Sequence, residues 1–305
     1  MELVLETKEL TKRYKSCTGL DRFSIQLERG RIYGLIGNNG AGKSTLFQIL
    51  AGLLRPSAGS YSLLGAKTER ENRLARRKIG FLFVESGLAG GMNAVQNLLA
   101  LQRLKGYRDP EEARRLLERL GLQPVQTEHE HLSTYSTGQR QRVAVAAALL
   151  GQPELLIWDE PLTGLDPEAI ELVHEILLEE CQKRQVTILL SSHNLPQLYR
   201  LATDYIFLHH GKLMQTVDRE TLRQRRTYVI SVEVPDPETG KRVLQQAYPE
   251  QQISVENGRM ILEDCTIATA EICTVLNKNN VTVGEITSSG STLEDYFLSI
   301  IGEKT

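Results

Sequence analysis

The spacing of hydrophobic and polar positions changes along the chain, and each spacing predicts a different element. Residues 31–36 read RIYGLI, a short apolar run with residues that favour strands, and a glycine-rich turn follows at once. Residues 43–54 read KSTLFQILAGLL, a helix-like segment. This part of the chain is therefore predicted to be a strand, a loop and a helix.

Helical spacing dominates the stretch from about Met92 to Leu150. Asp109-Pro110 is typical of a helix start, because Asp caps the first turn and Pro is tolerated inside it. The apolar face of this helix would be formed by Ala113, Leu116, Leu117 and Leu120, before Gly121 ends it.

Later runs predict strands at residues 155–158, 186–190 and 204–209. The first is continuously apolar, as expected for a strand buried on both faces of a parallel sheet, and the second is interpreted as another buried strand. Asp166-Pro167 predicts a helix start between these two runs, with a buried stripe formed by Ile170, Val173, Leu177 and Cys181. Strands that alternate with helices indicate an α/β fold with a parallel sheet.

After about Leu222 the spacing of apolar residues changes to the alternation that is typical of half-buried strands. Asn257-Gly258 is a strong signal for a two-residue hairpin. A helix is expected near residues 267–277, then a strand at 281–286 and an amphipathic helix at 292–301. We interpret residues 222–305 as a small α+β domain.

The composition disfavours several classes of protein. The net charge is −2 with both signs interleaved, so no nucleic-acid surface is predicted, and the basic run at residues 223–226 is interpreted as solvated surface. Four cysteines without CxxC spacing argue against zinc or disulfides and favour a cytoplasmic compartment. The amino-terminal residues lack the apolar stretch of a secretory signal. Apolar runs fall far below the roughly 18 residues that cross a bilayer, so a membrane role requires a partner.

Residues 37–45 read GNNGAGKST, which matches the phosphate-binding pattern GxxxxGK[ST] between a strand and a helix. Glycines let backbone N–H groups converge on phosphate oxygens, and the helix N-terminus adds partial positive charge. Lys43 should reach the β- and γ-phosphates, and the Ser44 hydroxyl should bind Mg²⁺. The candidate residues of this phosphate loop are Gly37, Asn38, Asn39, Gly40, Ala41, Gly42, Lys43, Ser44 and Thr45.

A second candidate element is LLIWDEP, in which a buried strand places Asp159 and Glu160 at its carboxyl end. Ligands of α/β sheets bind at this edge. Asp159 suits Mg²⁺ coordination, and Glu160 suits a base that orients the attacking water. A solvated loop is the weaker alternative, because carboxylates beside a buried strand need partners. His193, taken alone, is better explained as a core histidine whose partners are backbone groups.

Residues 135–167, YSTGQRQRVAVAAALLGQPELLIWDEPLTGLDP, resemble the signature and Walker B block of ATP-binding-cassette (ABC) proteins. The resemblance extends over residues 3 to about 216. It implies a P-loop NTPase cassette at residues 1–221 with a mixed, mainly parallel sheet, an antiparallel β subdomain and a helical subdomain at about 87–150. The small α+β domain at 222–305 would follow it.

The resemblance also implies a head-to-tail dimer of cassettes that holds two ATP molecules between its subunits. The signature would contact the partner's nucleotide through Ser136, Gly138 and Gln139. Within one subunit, Tyr14 would stack on adenine, although a lone aromatic residue after a strand fits a core or surface position equally well.

The same resemblance gives the catalytic roles. Glu160 would activate water, His193 would hold the γ-phosphate and the catalytic geometry, and Asp166 would couple the two sites. Mg²⁺ would be bound by Ser44 and Asp159.

Two positions depart from the family's pattern. Val84 occupies the place of a glutamine that approaches Mg²⁺ and the attacking water in the family. A valine side chain can neither bind a metal nor form a hydrogen bond. Either Glu85 substitutes after a one-residue shift, which we favour, or the contact is absent. Thr137 replaces the first glycine of the signature, and we expect binding to survive if this residue is helical.

The tail, residues 281–303, resembles ATPase subunits of exporters for bacitracin, lantibiotics and other drugs. We therefore expect an exporter subunit on the cytoplasmic face of the membrane, partnered by a second cassette and a separate transmembrane permease. The segment 87–101 would lie where the permease docks, or would pack only within its own subdomain. The alternatives are a soluble cassette ATPase acting on ribosomes or DNA, and a nucleotide-binding regulator without turnover.

Overall fold

The computed structural model describes residues 2–15, 17–83, 87–224, 228–265 and 267–290, together with positions 296, 298, 300 and 301. The chain divides into two compact units, Met1–Arg219 and Glu220–Thr305. Each unit has its own buried apolar cluster.

The first unit combines two sheets with a set of helices. Its strands are β1 (Leu3–Arg13), β2 (Thr18–Glu28), β3 (Ile32–Ile36), β4 (Ala58–Leu63), β5 (Ile79–Leu82), β6 (Leu155–Asp159), β7 (Thr187–Ser191), β8 (Asp204–His209) and β9 (Lys212–Asp218). Its helices are α1 (Lys43–Leu50), α2 (Glu69–Ala75), α3 (Ala94–Lys105), α4 (Pro110–Arg119), α5 (Pro124–His129), α6 (Thr137–Leu149), α7 (Pro167–Arg184) and α8 (Leu195–Leu201), and α9 (Arg219–Gln224) includes the point of division.

The larger sheet has the strand order β5-β6-β7-β3-β8-β9. Its neighbouring strands are parallel except for the antiparallel pair β8–β9. Every residue of β3, β6 and β7 is buried, which explains why their sequences, IYGLI, LLIWD and TILLS, are predominantly apolar. Since these three strands are adjacent and parallel, the loops that follow them meet at one edge of the sheet.

The smaller sheet is antiparallel with the order β2-β1-β4. Side chains from β1 and β2, such as Leu10 and Phe23, share one apolar cluster with α1 and with β3 and β6 of the larger sheet. This cluster fixes the position of α1, and therefore of the loop before it, against both sheets.

Side-chain caps define the starts of three of the four α-helices between residues 87 and 150, and α5 is the exception. Asp109 accepts a hydrogen bond from the Glu112 N–H, and Pro110 occupies the first helical position, as predicted. The same stretch contains α3, α4, α5 and α6.

Helix α7 begins at Pro167 with Asp166 as its cap, as predicted, but its buried face differs from the expected stripe. Ile170 is only half-buried, and Ala169 and Ile176 are buried in addition to Val173, Leu177 and Cys181. The predicted stripe is therefore confirmed at Val173, Leu177 and Cys181 and wrong at Ile170.

The second unit is a four-stranded antiparallel sheet with two helices. Its elements are β10 (Tyr228–Glu233), α10 (Pro237–Ala247), β11 (Ile253–Glu256), β12 (Arg259–Cys265), α11 (Thr269–Lys278) and β13 (Glu285–Gly290), in the sheet order β11-β12-β10-β13. Asn257 and Gly258 form the predicted hairpin, with φ of 51° and 77°. Positions 296, 298, 300 and 301 of the expected terminal helix are helical, and its other positions lie outside the described residues.

The structure of this unit differs from the expectation at two places. The strand expected at 281–286 begins at Glu285, because Glu285 pairs with Glu233, the last residue of β10, and earlier residues have no strand opposite them. No element was predicted for residues 237–247, which form α10 and start with the cap Asp236 and Pro237.

Candidate nucleotide and catalytic site

The phosphate loop connects β3 to α1 at the edge of the larger sheet. Gly40 and Gly42 have φ of 78° and 114°, in the region that only glycine adopts easily. A Cβ atom on Gly42 would lie 2.3 Å from the Gly19 carbonyl oxygen, so a side chain there is excluded. The loop is therefore without side chains at Gly40 and Gly42 and leads directly into the N-terminus of α1, which favours an anion.

Lys43 lies at the first position of α1, and its ammonium group donates a hydrogen bond of 2.5 Å to the Gly37 carbonyl. Burial lowers the pKa of Lys43, and the nearby carboxylates of Glu160 and Asp159 oppose this effect. The ammonium group of Lys43 therefore lies close enough to the carboxylates at the end of β6 to interact with them electrostatically.

Asp159 is oriented by two serine hydroxyls. Ser44 Oγ donates to Asp159 Oδ2 at 2.9 Å, and Ser191 Oγ donates to Asp159 Oδ1 at 2.6 Å. The pairing of β6 with β7 places Ser191 directly beside Asp159. Sequence reasoning missed Ser191, although its place at the end of the strand before His193 is a usable signal.

Glu160 is held in a constrained conformation. Its φ is 53°, which costs a non-glycine residue on the order of 1–3 kcal/mol. The Glu160 N–H donates to Ser191 Oγ at 3.1 Å. Its Oε2 accepts from the His193 N–H at 3.2 Å and lies 2.6 Å from His193 Nδ1. His193 therefore has a carboxylate partner, not the backbone partners expected of a core histidine.

A cavity of about 500 Å³ joins the predicted phosphate and catalytic residues. It is lined by the phosphate loop from Asn38 to Thr45, by Asp159 and Glu160, and by Tyr14, Cys17, Thr18, Gly19 and His210. Lys43 and Glu160 thus face the same space, as a hydrolytic site for a triphosphate requires. Sequence reasoning did not identify Cys17, Thr18, Gly19 or His210.

Tyr14 lies at the mouth of this cavity and is 41% exposed. Its hydroxyl is 3.3 Å from Thr45 Oγ1, and the Lys12 ammonium lies 5.5 Å from the ring centroid. The exposed aromatic ring is therefore available to stack on a planar base.

The signature residues lie at the N-terminus of α6. Ser136 caps this helix and forms a capping box with Gln139, and Thr137 is its first helical residue. The expected condition that Thr137 be helical is met. Gly138 lies close to the loop after Glu160, because a Cβ atom on it would be 3.0 Å from the Gly164 carbonyl.

The other predicted residues lie away from this cavity or outside the described part of the chain. Asp166 caps α7 by accepting from the Ala169 N–H at 2.8 Å. The lining of the cavity that contains the phosphate loop includes neither Asp166 nor Ser136, Gly138 or Gln139, as far as the described residues show. Val84 and Glu85 lie outside the described residues.

The oxygen atoms at this site fit Mg²⁺. Ser44 and Asp159 offer a hydroxyl and a carboxylate within hydrogen-bond distance of each other, beside the phosphate loop. Within the described part of the chain, no group of three or more His, Cys, Asp or Glu side chains could hold a metal. Mg²⁺ typically uses one or two carboxylates together with water and substrate phosphates.

Comparisons with known proteins identify the family of this chain. Residues 20–163 match the family described as "ABC transporter". The chain is 31% identical over 302 residues to the bacitracin transport ATP-binding protein BcrA of Enterococcus faecalis, covering 99% of this chain and 97% of that protein. It is 29% identical to the daunorubicin/doxorubicin resistance ATP-binding protein DrrA of Streptomyces peucetius, covering 98% and 92%.

Solved structures show the same fold. The structure of an ATP binding subunit of an ABC transporter matches with a TM-score of 0.66 at 29% identity, over 73% of this chain and 92% of that one. A dimeric ATP-binding cassette bound to ADP and Pi in a post-hydrolysis state matches with a TM-score of 0.65 at 24% identity, over 70% and 98%.

The fold class predicted from the sequence is confirmed by these structures. Among the described residues, none of the helices has the length and apolar character needed to span a bilayer. From the site geometry and the full-length relatives, we conclude that the chain belongs to the ABC transporter family as an ATP-binding subunit, and that it is an ATPase.

Proposed function

We propose that this subunit powers an exporter of drugs or antimicrobial peptides from the cytoplasmic face of the membrane. The relatives named for bacitracin transport and daunorubicin/doxorubicin resistance align over nearly the whole chain, including the second unit, and they support this substrate class. The observation that carries the catalytic part is the single cavity that contains both Lys43 and Glu160.

Each residue has a role that follows from its contacts. Lys43 and the N–H groups of the loop bind the phosphates, and Tyr14 stacks on adenine. The Glu160 carboxylate accepts a proton from the attacking water, and His193 holds that carboxylate in place through Oε2. Ser44 and Asp159 would hold Mg²⁺, which neutralises phosphate charge when it is bound.

The helix N-terminus at Ser136 serves the partner's nucleotide in a head-to-tail dimer. Its N–H groups form an anion site on the same principle as the phosphate loop. Because Ser136, Gly138 and Gln139 are absent from the lining of their own subunit's cavity, a second cassette is needed to bring a signature to each nucleotide.

Phosphate release tests the catalytic assignment. Glu160→Gln should lower the turnover number by at least about a hundredfold, because the amide is not a base, while ATP binding remains. Equal and negligible release by the wild-type chain and Glu160→Gln would favour a nucleotide-binding regulator.

Dimer formation is tested with the same variant. Glu160→Gln with ATP should form a dimer, so light scattering should give about twice the 34.2 kDa of one chain. Lys43→Ala should show no such shift, because the lysine charge that binds the phosphates is lost. A constant mass for Glu160→Gln would contradict the dimer of cassettes.

A groove of about 370 Å³ is our candidate for the permease contact. Apolar residues of β5, including Ile79 and Phe81, line it together with Leu101 and Leu104, and Arg73 and Arg77 lie at its rim. Leu104 is 81% exposed. These features suit a short amphipathic helix of the transmembrane subunit, with its apolar side against Leu101 and Leu104.

Co-purification from detergent extracts tests this contact. Leu104→Arg should abolish recovery of a multi-spanning membrane protein with this chain, and ATP binding should not change. Val125→Arg is the matched control, because Val125 is 73% exposed on α5 and does not line the groove. Recovery with ribosomes in place of a membrane protein would support the soluble alternative.

The substrate class is tested in cells that express the chain with the membrane protein it recovers. We expect increased resistance to bacitracin or doxorubicin, and no increase when Glu160→Gln replaces the wild-type chain. Resistance that is identical for both chains would contradict ATP-driven export.

A further inference from the structure

Helix α6 contacts the segment after Glu160 in its own chain at two points. Gln141 Nε2 donates a hydrogen bond of 2.8 Å to the Pro161 carbonyl. One turn earlier, a Cβ atom on Gly164 would lie 3.1 Å from Thr137 Cγ2. The helix that carries the signature therefore packs directly on the loop that carries the catalytic carboxylate.

The conformation of Glu160 depends on anchors at both ends of its backbone. Glu160 has a left-handed φ of 53°, which is unfavourable unless neighbouring contacts impose it. Ser191 Oγ accepts from its N–H on one side. On the other side the next residue, Pro161, is buried and its carbonyl is held by Gln141.

We propose that Gln141 is a positioning residue for hydrolysis, which acts by holding the Glu160-Pro161 turn and so aiming the Glu160 carboxylate. This proposal rests on the function of Glu160 proposed above. If the signature binds the partner's nucleotide, Gln141 lies only five residues along the same helix, about 7 Å, from that contact. Helix α6 would then connect the nucleotide at one site to the carboxylate that acts at the other.

The test removes the hydrogen-bond donor of Gln141 and keeps a side chain of similar size. Gln141→Met should lower kcat for phosphate release about tenfold, because the carboxylate is less well aimed, with KM for ATP within about twofold of the wild type. Gln141→Lys restores a donor and should recover most of kcat. Gln123→Met is the matched control, since Gln123 is exposed at the start of α5, makes no side-chain cap bond and should change neither constant.

Binding is measured separately to distinguish positioning from loss of folding. In the Glu160→Gln background, adding Gln141→Met should leave the ATP-dependent dimer and the thermal midpoint unchanged. A lower kcat together with loss of that dimer would overturn the proposal, because Gln141 would then act on binding or folding.

The outcomes also separate this inference from the proposed function. Wild-type kcat in Gln141→Met, with Glu160→Gln inactive, refutes the role of Gln141 alone. The role of Gln141 is also refuted if Gln141→Lys lowers kcat as much as Gln141→Met does. If the wild-type chain releases no more phosphate than Glu160→Gln, the proposed function and this role fail together.

Discussion

Gly19, at the start of β2, shows how an absent side chain shapes the nucleotide cavity. A Cβ atom there would lie 2.8 Å from Tyr14 Cε2 and 3.0 Å from Thr45 Oγ1. The Gly19 carbonyl is also the atom that excludes a side chain on Gly42. The absence of a side chain at position 19 therefore leaves room for the Tyr14 ring and for the Thr45 side chain in their observed positions.

Gly19→Ala should weaken ATP binding about tenfold and leave tripolyphosphate binding unchanged, because the methyl group displaces the Tyr14 ring but not the loop's N–H groups. Equilibrium dialysis with both ligands measures the difference. Gly91→Ala is the control, since a Cβ atom there meets nothing within 4 Å.

Lys43→Ala should instead weaken the binding of both ATP and tripolyphosphate by at least about tenfold, because the lysine charge acts on phosphate. If Gly19→Ala weakened both ligands equally, Tyr14 would not be the group that it displaces.

At the scale of the element, Asp166 caps a helix and is also predicted to couple the two nucleotide sites. Its carboxylate caps α7, and removal of a cap typically costs about 1 kcal/mol. Asp166→Ala should lower the free energy of unfolding of the first unit by about that amount, whereas Asp166→Asn keeps the cap and loses only the charge.

Urea unfolding and phosphate release distinguish the cap from the predicted coupling between sites. If the charge of Asp166 couples the sites, Asp166→Asn should lose turnover at unchanged stability. Wild-type turnover in Asp166→Asn would leave the cap as the explanation for this residue.

The same helix contains His174, whose pKa is lowered by burial and by Arg200, with Glu171 opposing. Its Nε2 is buried without a hydrogen-bond partner. Because the folded state disfavours the charged imidazole, the unfolded state binds more protons as pH falls below about 6.5, and stability falls with it.

Unfolding free energies between pH 7.5 and 5.5 should therefore decline more steeply in the wild type than in His174→Leu. The difference in slope has an upper limit of about 1.4 kcal/mol per pH unit, which corresponds to one proton. Parallel curves would show that His174 does not contribute to the pH dependence.

At the scale of the molecule, all residues that line the nucleotide cavity belong to the first unit. That unit has its own apolar cluster, so a chain truncated after residue 224 should fold and bind ATP within about twofold of the full chain. Trp158, the single tryptophan, is buried beside Asp159 and provides a fluorescence signal for this binding. Loss of ATP binding on truncation would show that the second unit supports the site.

Local patterns in the sequence predicted part of the first unit, including the strands β3, β6, β7 and β8 of its larger sheet. The buried strands, the phosphate loop and the Asp-Pro helix starts each depend on neighbouring residues, through backbone preference and side-chain spacing. The pattern was less informative for the second unit, where α10 was missed and β13 begins later than expected. There the partner strand, which is distant in sequence, decides where pairing starts.

The sequence by itself determined which residues could bind phosphate and activate water, because those capacities belong to side-chain chemistry and to the glycine turn. Only the tertiary structure decided which groups meet. Ser44 and Asp159 are 115 residues apart, Glu160 and His193 are 33 apart, and Gln141 is 20 residues before Pro161. Such contacts depend on the order and direction of strands in the sheet and on helix packing, which no local spacing specifies.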